Sequence, residues 1–120
     1  MGAREDAERR GRAGENLAAL WLRLKLYRIV ARRLKTHAGE VDLVALAPFG
    51  PVCFIEVKLR GDARRAAHSV NAGQRTRIGR AANLYLAAHP ALARRGMRFD
   101  IIALASGGWP IHHRDAWRED

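Results

Sequence analysis

The chain carries one cysteine, Cys53, in 120 residues, so it can form no internal disulfide. Cys53 sits in an apolar run and reads as a buried structural thiol. No apolar stretch approaches the roughly 20 residues needed to span a bilayer. The first dozen residues, Met1 to Arg12, are polar and mixed in charge, without the apolar core of a signal peptide. These absences exclude a disulfide-stapled fold and predict a cytoplasmic protein with no membrane partner. Internal repeats and low-complexity linkers are missing too, so residues 1–120 are expected to form a single domain around one core. Acidic residues are also scarce. Twelve Asp and Glu face 22 Lys and Arg, for a net charge of +10. That excess says nothing about fold, but it predicts a polyanionic partner. Most of the cations are arginine, whose forked donors suit phosphate. The apolar fraction of 48% is ordinary for a globular chain and excludes disorder as the reading.

What is present divides into alternating elements. A first helix is expected from about Ala7 to Leu26. Ala13, Leu17, Leu20, Trp21 and Leu24 share one face at helical spacing, wide enough to be the buried stripe. Ala18, Leu22 and Leu26 make a weaker apolar face opposite, and Glu15 projects with them. Three strands are expected next, at Tyr27–Arg32, Glu40–Ala47 and Val52–Arg60. Ala47-Pro48-Phe49-Gly50-Pro51 has the composition of a turn, which makes the last two strands an antiparallel hairpin. Gly61 to Asn71 is polar, arginine-rich and aperiodic, so it reads as an exposed loop. A second helix is expected from Ala72 to Ala88, burying Ile78, Ala81, Ala82 and Tyr85, with Pro90 just past its end. Arg98–Ala105 is a buried strand, Ser106-Gly107-Gly108 a turn, and Trp109–Arg114 an edge strand. The order α-β-β-β-α-β-β predicts an α/β fold: one mixed sheet with helices packed on it.

Two sequence words bear on chemistry: Gly39-Glu40-Val41-Asp42-Leu43 and Phe54-Ile55-Glu56-Val57-Lys58. Alternate residues of a strand share a face, so Glu56 and Lys58 point one way and Ile55, Val57 and Leu59 the other. A turn centred on Phe49 pairs residues whose numbers sum to 98. Asp42 then stands opposite Glu56, and Glu40 opposite Lys58. Opposed carboxylates lie roughly 4.5–5.5 Å apart at Cβ and repel unless a proton or cation sits between them. An oxygen-seeking divalent ion such as Mg²⁺ is the natural occupant. A register slip of one residue would send Asp42 to the other face. A second reading makes Glu40, Asp42, Glu56 and Lys58 a ladder of surface ion pairs. Against it, Val44, Leu46, Val52 and Phe54 continue the same face, so that face is covered, and half-buried charges are costly there. His112 and His113 are adjacent and point to opposite faces, which argues against a shared metal. Asp100 reads as a structural hydrogen-bonding residue.

These words resemble the YraN-like family of small bacterial proteins, within the restriction-endonuclease-like, PD-(D/E)XK, superfamily. Gly11-Arg12-Ala13-Gly14-Glu15 with Ala18, Ala81-Ala82 with Tyr85-Leu86, and Arg98-Phe99-Asp100 complete the pattern from about Gly11 to Trp117. The resemblance implies a restriction-endonuclease-like fold and a role for each matching position. Asp42 and Glu56 would be metal ligands, with the Val57 carbonyl as a third. Lys58 would orient the attacking water or stabilise developing phosphorane charge. Glu15 would complete the site from the first helix. Gln74 stands where such proteins usually carry lysine, and by helical angle it reaches toward the sheet. Leu26 replaces their usual glycine before the first strand.

The function implied is a Mg²⁺- or Mn²⁺-dependent endonuclease acting on DNA phosphodiester bonds, branched or flapped structures included. Arg60, Arg64, Arg65, Arg75 and Arg77 flank the site in sequence and are expected to bind nucleic acid, with Arg80 beside them. Relatives that cut junctions act as symmetric dimers, so a homodimer belongs to what the resemblance implies. Two other readings stand beside it. One is a nucleic-acid-binding module of the same fold without turnover; the other is an RNA- or ribosome-associated accessory protein, for which charge alone suffices.

Overall fold

A computed structural model describes residues 3–59, 70–104 and 109–118, with side chains from Gly11 onward. The elements are α1 (Ala3–Leu24), β1 (Arg28–Lys35), β2 (Glu40–Leu46), β3 (Val52–Leu59), α2 (Ala72–Ala88), a one-turn α3 (Pro90–Ala93), β4 (Met97–Leu104) and β5 (Ile111–Trp117). The five strands form one sheet in the order β1-β2-β3-β4-β5. Only β3 and β4 run parallel; the other neighbours are antiparallel. This is the expected mixed α/β sheet in the order α-β-β-β-α-β-β, with α3 added. A parallel pair needs a long crossover, and the segment containing α2 supplies it. The predicted loop at Gly61–Asn71 is described only from Val70 on, and the predicted turn at Ser106–Gly108 lies outside the described residues.

Each sheet face carries its own apolar layer. On one, Val44, Phe54, Phe99 and Ile101 meet Ile78, Ala81, Ala82 and Tyr85 of α2. On the other, Leu43, Ala45, Cys53, Ile55 and Ile102 meet Ala18, Ala19 and Leu22 of α1. The sheet thus sits between two helical layers, each burying the face it touches. β5 runs three residues beyond its predicted end, to the buried Trp117, which stacks on Phe99 at 5.2 Å.

The face of α1 that meets the sheet differs from the expected one. Leu17, Leu20 and Leu24 are 46%, 51% and 70% exposed, while Gly14, Glu15, Ala18, Ala19 and Leu22 are buried. Both faces are apolar at helical spacing, so periodicity alone does not rank them. Side-chain size does. A Cβ on Gly14 would lie 3.0 Å from the Leu59 side chain and 3.3 Å from that of Leu104. The small residues therefore let α1 lie close on the sheet, and Glu15 travels inward with them.

The end of α1 explains Leu26. Tyr27 N–H donates to the Leu22 carbonyl at 2.9 Å, and Leu26 N–H to that of Arg23 at 3.0 Å. This is the paired bonding of a Schellman cap, with Leu26 at the left-handed position (φ 68). Tyr27 and Leu22 bury together in the α1-side layer, the apolar contact that accompanies such caps.

Candidate active site

The hairpin turn sets the register. Pro48 and Phe49 occupy its central positions, Phe49 at φ 53, and Gly50 N–H donates to the Ala47 carbonyl at 3.1 Å. Leu46 pairs with Val52, Ala45 with Cys53, Val44 with Phe54 and Leu43 with Ile55. The numbers sum to 98, as expected. Beyond Leu43 and Ile55 the ladder stops, and Asp42 Oδ2 accepts from Val57 N–H at 2.8 Å in its place. A β2 side chain therefore bridges to β3 at the fork where the two strands part. Gly39 shows where β2 goes instead: a Cβ there would lie 2.9 Å from the Arg77 carbonyl oxygen of α2. Only glycine admits so close a backbone contact.

At the fork Asp42 and Glu56 come within hydrogen-bonding reach of each other, and Lys58 Nζ stands 3.7 Å from Glu56 Oε1. The side chains of Glu56 and Lys58 are mostly buried. Burial raises the Glu56 pKa, the neighbouring Asp42 charge raises it further, and Lys58 opposes both; the result is about 7. Asp42 is raised as well, by burial first and by the charge of Glu15, against the Val57 N–H that favours its charged form. Two acids in this position share a proton. A cavity of about 320 Å³ opens on them, walled by Glu40, Gln74 and Arg77.

Glu15 reaches Asp42 from the α1 side. It lines a second cavity, about 330 Å³, with Asp42, Arg12, Arg33 and Lys35. Its Oε2 accepts from Arg33 Nε at 2.9 Å. Arg33 lies across β1–β2 from Asp42, between the pairs Arg32–Leu43 and Leu34–Val41, and its backbone is left-handed, φ 52. A left-handed arginine costs roughly 1–2 kcal/mol. A half-exposed ion pair returns about 0–1 kcal/mol, so the Glu15 contact does not by itself offset that cost.

Gln74 lines the acid cavity as its helical angle implied. Its Oε1 accepts from Asn71 N–H at 3.1 Å while Asn71 Oδ1 accepts from Gln74 N–H at 2.9 Å, a reciprocal cap on α2. Among the described residues the amide nitrogen has no partner. The word Asn71-x-x-Gln74 carries this signal in the sequence. Among the arginines, Arg77 lines the cavity, whereas Arg75 donates to the Val70 carbonyl at 3.0 Å and lies over the Trp117 ring. Arg60, Arg64 and Arg65 lie outside the described residues. Arg12 stands in the sequence word that carries Glu15, one helical turn before it, but nothing local marks Arg33 and Lys35 as neighbours of Asp42.

A second polar cluster is structural. Asp100 is fully buried on β4 and accepts from Arg98 at 2.8 Å through both oxygens, and from Asp115 N–H at 2.9 Å. His112 Nε2 lies 2.7 Å from its Oδ2. Burial would raise its pKa, but the bonds from His112, Arg98 and the Asp115 N–H outweigh that and hold it at about 2. Asp115 sits at φ 54 where the β4–β5 register shifts, which turns its N–H inward. Cys53 is buried nearby, its thiol pushed up to about 12 by burial and by Asp100, so it is an inert packing group. A larger cavity, about 500 Å³ between Met97, Phe99 and Trp117, lies at the far end of the sheet from the acid pair. Among the described residues no helix is long and apolar enough to cross a membrane.

Sheet and flanking helices define a class: an α/β protein with a five-stranded mixed sheet, compatible with a restriction-endonuclease-like fold. The sequence matches the family described as Uncharacterised protein family UPF0102 over residues 14–104. It is 49% identical over 122 residues to a UPF0102 protein of Paramagnetospirillum magneticum, covering 98% of this chain and 94% of that one. A UPF0102 protein of Parvibaculum lavamentivorans is 46% identical over 112 residues, covering 93% and 84%. The chain belongs to the UPF0102, or YraN, family.

Proposed function

We propose that this protein is a Mg²⁺- or Mn²⁺-dependent nuclease that hydrolyses phosphodiester bonds of DNA. The observation that carries the reading is the half-buried pair Asp42 and Glu56, held side by side at the β2–β3 fork with Lys58 Nζ 3.7 Å from Glu56. Among the described residues no three His, Cys, Asp or Glu side chains form a ready metal cage. Mg²⁺ does not need one, since it keeps several waters and binds through one or two carboxylates. Asp42 and Glu56 would hold the ion, with the Val57 carbonyl and Glu15 as further oxygens. The bound ion would lower the pKa of a coordinated water and neutralise charge on the phosphoryl group. Lys58, beside Glu56, is placed to orient the attacking water or to meet the charge on the phosphorane oxygens. The Gln74 amide would donate to a phosphate oxygen without adding charge.

One observation favours a binding module without turnover: Gln74 supplies no cation, and its oxygen is committed to the helix cap. Purified protein assayed with Mg²⁺ or Mn²⁺ on single-stranded, duplex, flap and four-way-junction DNA decides between them. Metal-dependent cleavage of at least one substrate is expected. No cleavage, together with no calorimetric binding of either ion, would put the binding module first.

A further inference from the structure

The two cavities at the acid pair share Glu40 and Asp42; α2 and Glu56 wall one, and α1 and β1 wall the other. Each brings cations to the acids. The α2 side brings Arg77; the α1 side brings Arg12, Arg33 and Lys35. A third hollow, about 350 Å³, extends the α1 side past Arg12 and Arg33 to Arg32 and Asn16, which bond to each other. The groove therefore continues in both directions from Asp42 and Glu56.

The acids on the α1 side do not leave it repulsive to anions. Glu15 is engaged by Arg33, Asp42 accepts from Val57 N–H and lies against Glu56, and that leaves Glu40 facing the two further cations of this cavity, Arg12 and Lys35. Arg12 is exposed, one helical turn before Glu15 on the same face. The left-handed backbone of Arg33 aims its side chain at Glu15 and the cavity. A guanidinium has five donors and Glu15 takes the Nε one, so the remaining N–H groups are left for a second acceptor. Phosphate oxygens are the acceptors that fit clustered forked cations.

None of the eight aromatic residues lines these cavities, and all eight lie among the described residues. A groove rich in cations and without stacking rings contacts the backbone rather than unstacked bases.

We infer that Arg12, Arg33 and Lys35 form a binding site for a neighbouring phosphate of the strand being cut, so the substrate is an internal stretch of nucleic-acid backbone rather than a chain end. The inference rests on the nuclease reading for the word "cut", but its binding site is testable without turnover.

The probe is a fluorescent duplex closed by hairpin loops, which offers no chain end, measured by anisotropy with Ca²⁺ in place of Mg²⁺. Arg12→Gln/Lys35→Gln changes two exposed residues whose side chains make no hydrogen bond or ion pair among the described residues, so folding should be retained. A control with the same charge loss, Arg28→Gln/Arg94→Gln, lies away from the acid pair. The groove double variant is expected to weaken binding roughly ten- to fiftyfold and the control less than threefold. Arg33→Lys, which keeps a cation for Glu15 but loses the fork, should weaken binding about fivefold with an unchanged melting temperature. Equal losses in the two double variants would overturn the site, as would binding to open-ended duplex only. Cleavage by the wild type with Mg²⁺ is scored separately. A groove-specific binding loss without any cleavage sinks the nuclease reading and keeps the site; cleavage with equal losses does the reverse.

Discussion

Glu56 holds a proton in the folded protein that it would lose in the unfolded chain. Its ordinary pKa is 4.5 and its folded value about 7. Between those values the folded state binds more protons than the unfolded one, so stability falls as pH rises through that window and is flat above it. Asp42, raised for the same reason, adds to the fall. Glu56→Gln removes the titration and keeps the hydrogen-bonding shape. Metal-free, the variant should be more stable than wild type above pH 7, by up to on the order of 3 kcal/mol. Near pH 4.5 the two should be close. Thermal melts in a chelator at pH 4.5 and pH 8 measure this, and an equal difference at both would refute the shared-proton account. Mg²⁺ should stabilise wild type at pH 8 and leave the variant nearly unchanged. This pair was legible in the sequence, because the turn at Phe49 fixes the cross-strand partners as far as Leu43 and Ile55 and so delivers Asp42 and Glu56 to the fork. The pairing of Glu40 with Lys58 expected beyond them does not form, since the ladder stops there and Glu40 pairs with Lys35 of β1. The Arg33–Glu15 contact was not, since it depends on a left-handed residue and on which way α1 faces.

At the scale of elements, α1 shows where periodicity runs out. It is apolar on two sides, and the wider stripe, Leu17, Leu20 and Leu24, faces outward. What decides is the fit of Gly14, Ala18 and Ala19 over β3, a tertiary fact that hydrophobic spacing does not encode. The second helix was readable end to end because Pro90 stops it and a single apolar stripe fills one face. Leu26 was legible as a departure from the family pattern, but its meaning needed the cap. A left-handed leucine is strained, and this one is 79% exposed, so little packing compensates. Leu26→Gly should therefore stabilise the protein by about 1 kcal/mol, despite glycine's greater freedom in the unfolded chain. Chemical denaturation at fixed pH would show a higher midpoint with an unchanged slope. A lower midpoint would mean that the leucine side chain does more than sit in solvent.

Across the whole molecule, the net charge of +10 supplies attraction and the site supplies placement, and salt separates the two. Five described cations stand around the acid pair: Arg12, Arg33, Lys35, Lys58 and Arg77. If each neutralises one phosphate, log K for duplex DNA should fall against log salt with a slope of roughly −4 to −5. Arg12→Gln should flatten that slope by about one. Asp42→Asn should act in another way. Without metal, the Asp42 carboxylate repels an incoming phosphate, and the amide does not. The variant should therefore bind DNA as tightly as wild type or more so, with the same slope, because no cation has been lost. It should also cleave nothing, having lost an oxygen ligand for the ion, and added Mg²⁺ should no longer tighten its binding as it does in wild type. Lys58→Ala, which removes a cation from the phosphate, should weaken binding and slow cleavage together. Anisotropy titrations at four salt concentrations, with and without Mg²⁺, resolve all three variants. A wild-type slope near zero would remove the nucleic-acid reading itself. A flattened slope in Asp42→Asn would instead mean that this carboxylate holds the groove's cations in place rather than a metal ion.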